Sequence, residues 1–186
     1  PRVLLSASAI GYYGVQPQGD ATELAEDSAP QAIFMSQLCQ AWEQAAHAAV
    51  PHGVHVACLR LGLVLGHQGS LPQLLMPIQL GLGGPLGTGR QWLSWVHVHD
   101  VVRAQGAAPA AQAFNLTAPG ALRQADFTRA AAQVLRRPFW MPTPAAPVKL
   151  LLGEQADLLL EGQRVVPARL LQTGFVFHFP DAQTAL

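Results

Sequence analysis

Apolar positions in this chain come in short blocks that alternate between two rhythms. Val3 to Ala7 is an apolar run interrupted only by Ser6, the pattern of a strand buried on both faces. A Gly/Tyr loop, Gly11-Tyr12-Tyr13-Gly14, and a polar stretch to Pro30 follow it. From Ile33 to Val50 the rhythm becomes helical, with Ile33, Leu38, Trp42, Ala45 and Ala49 on one stripe and Glu43 and Gln44 off it. Pro51-His52-Gly53 ends that helix, and Val54 to Leu61 reads as the next strand. Leu71 to Leu80 predicts a helix that Pro77 must kink or end. A glycine-rich loop, Gly81 to Gly89, leads to a strand over Trp92 to Val98 and a short helix over Asp100 to Gln105. Ala113 to Leu116 predicts another strand. Gln124 to Leu135 predicts a helix with Phe127, Ala131 and Val134 turned inward. The proline-rich run from Pro138 to Pro147 is the best domain boundary, dividing 1–137 from 138–186. Beyond it, Val148 to Leu160 predicts a helix broken at Gly153, and Pro167 to Gln172 a last short one. Such β-α-β alternation predicts an α/β fold on a parallel sheet.

Composition narrows the function classes. The chain has 186 residues, half of them hydrophobic and only 12% charged, so it buries a real core and is not disordered. Eleven basic and eleven acidic residues cancel, which leaves no global field for nucleic acid or an anionic membrane. No apolar run reaches the length of a transmembrane helix. Cys39 and Cys58 stand outside any CxxC or Cys/His pattern and predict buried thiols in a reduced, cytoplasmic protein. Every basic residue is Arg except Lys149. The opening Pro1-Arg2 runs straight into a buried-type strand, so we expect the chain to be the later part of a longer protein of roughly 300 residues. Its low surface charge fits a face covered by the remainder.

In open parallel sheets, ligands bind beyond the carboxyl ends of the strands. Three polar clusters fall there: Ser6 and Ser8 with Tyr12 and Tyr13, Arg60 to Gly66, and His97, His99 and Asp100. Their convergence predicts a small-molecule cleft lined by hydroxyls, imidazole and one Arg. The alternation of His97 and His99 invites a metal, but no Cys or second His pair has the spacing of further ligands, so none is assigned. Asp100 is expected to cap the helix that starts there.

The same residues carry a resemblance. Leu5-Ser6-Ala7-Ser8-Ala9-Ile10-Gly11-Tyr12-Tyr13-Gly14 resembles the strand-end serine segment of extended short-chain dehydrogenases/reductases, the epimerase/dehydratase group. Thr22 to Asp27 with Pro30, Leu59-Arg60-Leu61-Gly62-Leu63-Val64-Leu65-Gly66, Trp95 to Val101 and Phe114-Asn115-Leu116 are similar to later segments of that group. The Tyr12-Tyr13 doublet, Trp42-Glu43, Gly83 to Gly87 and Gly162 to Pro167 resemble one subfamily. Its members are sugar-nucleotide epimerases of unassigned substrate that end in a domain of unknown function.

The resemblance implies the later part of a Rossmann-type parallel sheet, with a small C-terminal substrate-side α/β segment. It implies as well that the N-terminal dinucleotide-binding half is expected to lie outside this chain. It also implies an oxidoreductase or epimerase that uses NADP or NAD on a nucleotide-sugar-like or small carbonyl substrate. Two departures qualify this. No Gly-rich strand-to-helix turn is present to hold a dinucleotide pyrophosphate, so the chain by itself is expected to bind dinucleotide weakly or not at all. With Lys149 as the sole lysine, the usual Tyr-x-x-x-Lys proton-transfer pair is impossible; its place falls on Phe34/Leu38, or on Met35/Cys39 if Glu43 anchors the register.

The candidate catalytic residues are Ser8, which resembles the family's catalytic Ser/Thr, with Tyr12, Tyr13 and His97. Ser8 either orients a substrate oxygen or bonds its own loop. The tyrosines either donate hydrogen bonds to a ligand or pack under the loop. Ser6, Arg60, Gly62 and Leu63 are the cofactor-binding candidates. Arg90, Trp92, Trp95 and Arg164 are the substrate-side candidates: the arginines grip a phosphate or are simply exposed, and the tryptophans stack a ring or belong to the core. The expected partners are a small-molecule substrate and the missing N-terminal half. The alternatives are a non-catalytic dinucleotide-sensing or partner-binding protein, and a fragment that forms a homodimer through its first strand.

Overall fold

A computed structural model of the protein describes residues 2–67, 70–107, 112–142 and 162–186. Its strands in chain order are β1 (Arg2–Ala9), β2 (Val54–Leu61), β3 (Leu63–Leu65), β4 (Trp92–Leu93), β5 (Trp95–His97), β6 (Ala113–Leu116) and β7 (Leu122–Arg123). The helices are α1 (Phe34–His47), α2 (Ser70–Gln79), α3 (Val98–Ala107), α4 (Gln124–Val134), α5 (Ala168–Gln172) and α6 (Ala182–Ala185). The predicted helix over 148–160 and part of the proline-rich run lie outside the described residues.

Parallel pairing organises the fold. β2 lies between β1 and β6, with Arg2 opposite Val54 at one end and Ala9 opposite Leu61 at the other. A central parallel strand is buried on both faces and therefore apolar throughout; Val56, Ala57 and Cys58 are fully buried in β2. β1 departs from the expected double burial. It pairs on one side only, and Val3, Leu4 and Leu5 are exposed among the described residues.

Past Leu61 the sheet turns at Gly62. The Gly62 amide donates to the Leu116 carbonyl and the Leu63 amide to the Ser94 carbonyl, so β3 leaves β6 and pairs in parallel with β5. A Cβ at Gly62 would stand 2.6 Å from the Ser94 carbonyl oxygen, which is why glycine occupies the turn. The single strand expected over Trp92 to Val98 is instead two. β4 pairs antiparallel with β7 and β5 pairs with β3, while Ser94 between them bonds Gln163 and Val165 through its hydroxyl. Val98 already belongs to α3.

Helix phases differ from expectation at two points. α1 turns Ser36, Cys39, Glu43 and Ala46 inward and leaves Phe34 and Trp42 exposed, a rotation of the anticipated stripe. The spacing is helical as expected, but the polar Glu43 takes an inward position because a buried arginine meets it. In α4, Phe127, Thr128, Ala131 and Ala132 are buried, whereas Val134 is exposed. Two apolar clusters hold the layers together. One joins Leu59, Val96, Ala104, Phe114 and Leu116 to Leu170 and Phe177; the other joins Leu65, Leu71, Trp95 and Phe127 to Ala182 and Ala185. Both recruit the C-terminal residues, so that segment is built into the core.

Candidate functional site at the carboxyl ends of the strands

β1 delivers Ser8, β2 delivers Arg60 and β6 delivers Asn115 to neighbouring positions, because parallel register sets Ser8 opposite Arg60 and Arg60 opposite Asn115. α1 brings Glu43 to the same place. The Glu43 carboxylate accepts the Arg60 Nε–H at 2.8 Å and an Nη2–H at 2.9 Å, a two-pronged pairing, and it also accepts the Ser8 hydroxyl at 2.8 Å. Arg60 Nη1 donates to the Tyr13 hydroxyl and to the Glu26 carbonyl. Tyr13 in turn donates to the Asn115 side chain at 2.7 Å. The Arg60 guanidinium lies 3.4 Å from the centre of the Tyr12 ring.

Burial decides what these groups can do. Ser8, Arg60 and Tyr13 are all buried, and desolvation pushes the Tyr13 phenol above its ordinary value despite the opposing Arg60 charge. Tyr13 is therefore a neutral hydrogen-bond donor spent inside the fold, not a proton carrier. Burial disfavours the Arg60 charge, but the bonds from Glu43 outweigh it and hold Arg60 more firmly protonated than usual. The expectation that Arg60 grips a cofactor is corrected by this geometry, since its guanidinium is committed to Glu43, Tyr13 and Glu26. Tyr12 is only partly buried, and its hydroxyl has no bond among the described residues.

Glu43 anchors the face of α1 that meets β1 and β2. Met35, Cys39 and Glu43 are spaced four apart and share one face. A Cβ added to Gly11 would touch the Cys39 sulfur and Met35, so that face looks onto the loop after β1. Cys39 neighbours Ser8 while Met35 lies over Gly11, and burial raises the Cys39 thiol pKa. Met35 has no proton to give and Cys39 keeps its own, so neither relays one near neutrality.

A second constellation lies on the rim. The strap over 162–166 crosses the strand ends: Val165 bridges Leu24, and Asn115 and Thr117 donate to the carbonyls of Val166 and Val165. The strap carries Arg164 towards Trp92, whose ring lies 4.9 Å from the Arg164 guanidinium and 3.6 Å from that of Arg123. Trp92 Nε1 donates to the Asp20 carbonyl, and Arg123 donates to the Gln18 and Arg90 carbonyls. Three of the four substrate-side candidates, Arg90, Trp92 and Arg164, are thereby brought together. Arg123 was missed by sequence reasoning because it reads as an ordinary helix-start residue; only the antiparallel pairing of β7 with β4 places it opposite Trp92.

The remaining candidates go elsewhere. Trp95 is fully buried in the core with Nε1 on the Gly120 carbonyl, so it offers no ring to a ligand. Gly62 and Leu63 serve the turn between β2 and β3, where Gly62 packs on the Ser94 backbone and Leu63 joins the second apolar cluster. Ser6 shares the Ser8 face of β1 and is half-buried. His97 stacks on Phe179 with ring centres 3.9 Å apart, and no described contact joins it to the Ser8–Glu43–Arg60 network. Burial, with His99 and His67 nearby, depresses its pKa. Asp100 does not cap α3; its buried carboxylate accepts the amides of His178 and Phe179 and pairs with Arg103, clamping the C-terminal segment.

Residues 1–116 match the model of the NAD dependent epimerase/dehydratase family, and residues 143–186 match a domain of unknown function, DUF1731. The chain belongs to the NAD dependent epimerase/dehydratase family. Among similar family proteins is the chloroplastic epimerase family protein SDR39U1 homologue of Arabidopsis thaliana, 39% identical over 100% of this chain and 54% of its own length. The crystal structure of human epimerase family protein SDR39U1 (isoform 2) with NADPH is 33% identical with a TM-score of 0.90, covering 100% of this chain and 64% of that one. A nucleoside-diphosphate sugar epimerase from Corynebacterium glutamicum is 28% identical with a TM-score of 0.77, covering 98% and 36%. The chain thus spans between about half and two-thirds of the length of the epimerase family proteins SDR39U1 that it matches. No helix among the described residues is long and apolar enough to cross a membrane.

The described residues include no glycine-rich turn from a strand into an α-helix of the kind that holds a dinucleotide pyrophosphate. The only glycine-dense stretch among them, Gly81 to Gly89, leads into β4 rather than a helix. Gly84 is pressed against the Met141 backbone so closely that a Cβ would collide with it.

Proposed function

We propose that this chain is the substrate-side part of an NAD(P)-dependent oxidoreductase or epimerase acting on a nucleotide-sugar-like or small carbonyl substrate. Residues 1–137 would complete the Rossmann-type sheet and 138–186 the substrate-side segment. The observation that carries the reading is the meeting of Ser8, Arg60 and Asn115 at the carboxyl ends of three parallel strands, beside the face of α1 where the family's proton-transfer pair belongs. The NADPH in the human relative's structure and the family description support NADP or NAD as cofactor. Residues outside this chain would hold it, and the same residues would cover the exposed edge of β1. Two buried free thiols support a cytoplasmic, reducing setting.

The network gives Ser8 a defined polarity. Its proton is committed to Glu43, so its free lone pairs can only accept. Ser8 then positions a substrate hydroxyl rather than a carbonyl. Met35 and Cys39 give no route for a proton, which favours a second reading: a protein that binds dinucleotide for sensing and has given up turnover.

Titrating NADPH into the intact protein, followed by its fluorescence, tests the reading. A saturable change is expected, and no change up to millimolar cofactor would overturn it. Ser8→Ala separates the two versions: lost turnover with unchanged cofactor binding supports catalysis, whereas unaltered turnover removes Ser8 from the chemistry.

A further inference from the structure

His97 is a half-buried titratable group outside the Ser8–Glu43–Arg60 network, and it stands at a junction. It precedes the first residue of α3, and its Nδ1 accepts the His99 amide at 3.3 Å. A side-chain acceptor just before a helix, bonded to the second helical amide, is an N-cap. The imidazole therefore fills the capping role expected of Asp100. A ring nitrogen that accepts an N–H carries no proton, so the ring is neutral with its hydrogen on Nε2. Its face lies on Phe179, with ring centres 3.9 Å apart.

The stretch beyond that stack is fastened by the Asp100 carboxylate, which accepts the His178 and Phe179 amides, and by the Pro180 carbonyl, which accepts the Gly120 amide. His178 and Pro180 themselves are exposed. The groups whose charge reaches the His97 ring are His99 and Asp100 from α3 and His67 from beyond β3. Arg103 of α3 is paired with Asp100 and bonds the Val176 carbonyl, and His178 and Asp181 lie beside Phe179 in the C-terminal segment. Protonation would set a ring N–H against the His99 N–H and place a positive charge at the positive end of a helix. A cation over an aromatic face is attracted to it, and Asp100 also favours the charged ring. Burial and the two neighbouring imidazoles outweigh that attraction, since the His97 pKa lies below its ordinary value.

We propose that His97 is an acid-operated latch: the neutral ring caps α3 and pins Phe179, and its protonation frees the stretch from His178 to Asp181 while the sheet remains folded. Cap and stack share one ring, so a single proton undoes both. The His99 ring, 5.9 Å away, adds a like charge that drives the opened state further once it too is protonated. The latch sits at the carboxyl end of β5, so acid loosens that end of the sheet without reaching the Ser8–Glu43–Arg60 network, to which no described contact joins it. It operates whether or not the protein turns over a substrate.

Amide hydrogen exchange of the intact protein at about pH 7.5 and about pH 5, corrected for the intrinsic rate, provides the test. Protection of the His178 and Phe179 amides should fall about fivefold or more at the lower pH, while the amides of β2 keep theirs. His97→Asn supplies a cap that does not titrate in this range, so the step should vanish in that variant. His178→Gln removes the imidazole beside Phe179 and should leave the step in place. No fall in the parent, a fall shared by β2, an equal fall in His97→Asn or a step lost in His178→Gln would each overturn the latch. Nitrogen NMR of the His97 ring in the unaltered protein needs no variant. Nδ1 should be bare near neutrality, and its protonation should follow the same pH course as the loss of protection. A ring that titrates at a different pH from the opening would overturn the latch as well.

Discussion

Two arginine environments lie along the same sheet edge and use the same side chain for opposite purposes. Arg60 is buried, meets a carboxylate with two of its nitrogens, stacks on Tyr12 and gives a third nitrogen to Tyr13 and a carbonyl. Arg90, Arg123 and Arg164 lie on the rim, share one carboxylate among the described residues, and crowd one another. A guanidinium matched inside the fold tells little about ligands, because its donors are consumed and exposing it would strand a charge. Crowded guanidiniums at the rim are matched by fewer internal groups and repel one another. The difference separates a guanidinium matched inside the fold from guanidiniums left crowded at the rim, where residue type alone could not.

The comparison can be broken first at its buried end. Glu43→Gln leaves the Arg60 charge unmatched in the interior and should cost about 3–5 kcal/mol of folding stability. Thermal or urea unfolding would show it, and a near-neutral result would mean that water reaches the pair. Tyr13→Phe is next in size. It strips an acceptor from Arg60 and a donor from Asn115, for an expected loss of about 1–3 kcal/mol. A change confined to ligand binding, with stability intact, would return Tyr13 to the candidate site. His97 offers the smallest effect. Its pKa in the folded protein is depressed, so the unfolded chain takes up the proton first as pH falls below about 6.5. Stability should therefore decline on the acid side of that value and level off below the folded pKa. His97→Gln should flatten that part of the profile, and an unchanged slope would place the titration elsewhere.

Much of the architecture was legible in the chain, for definite reasons. β2 and β6 were read correctly because parallel strands buried on both faces are continuous apolar runs, as in Val54–Leu61 and Ala113–Leu116. The phase of α1 was not, because apolar side chains define a stripe only when polar ones stay outside, and Glu43 is drawn inward by an arginine 17 residues away. The strand over Trp92 to Val98 looked continuous because local pattern cannot show that Ser94 is claimed by a strap about 70 residues on. At the site, Arg90, Trp92 and Arg164 were named as substrate-side residues and lie together, whereas Trp95, three residues from Trp92, is core. Period-two alternation could not separate those two tryptophans, since the chain breaks at Ser94 between them. Arg123 carried no signal at all. Its role depends on a pairing between two-residue strands, which no periodicity reveals.

Arg60 is a buried structural cation, and the rim arginines are not. Urea unfolding of the intact protein, its Arg60→Met variant and its Arg90→Gln variant, run side by side, tests that claim most directly. Arg60→Met should lower the midpoint by the equivalent of about 3–5 kcal/mol, because Glu43 is left charged and unmatched. Arg90→Gln should unfold with the midpoint and slope of the parent. Equal midpoints for the two variants would contradict the distinction on which the candidate site rests.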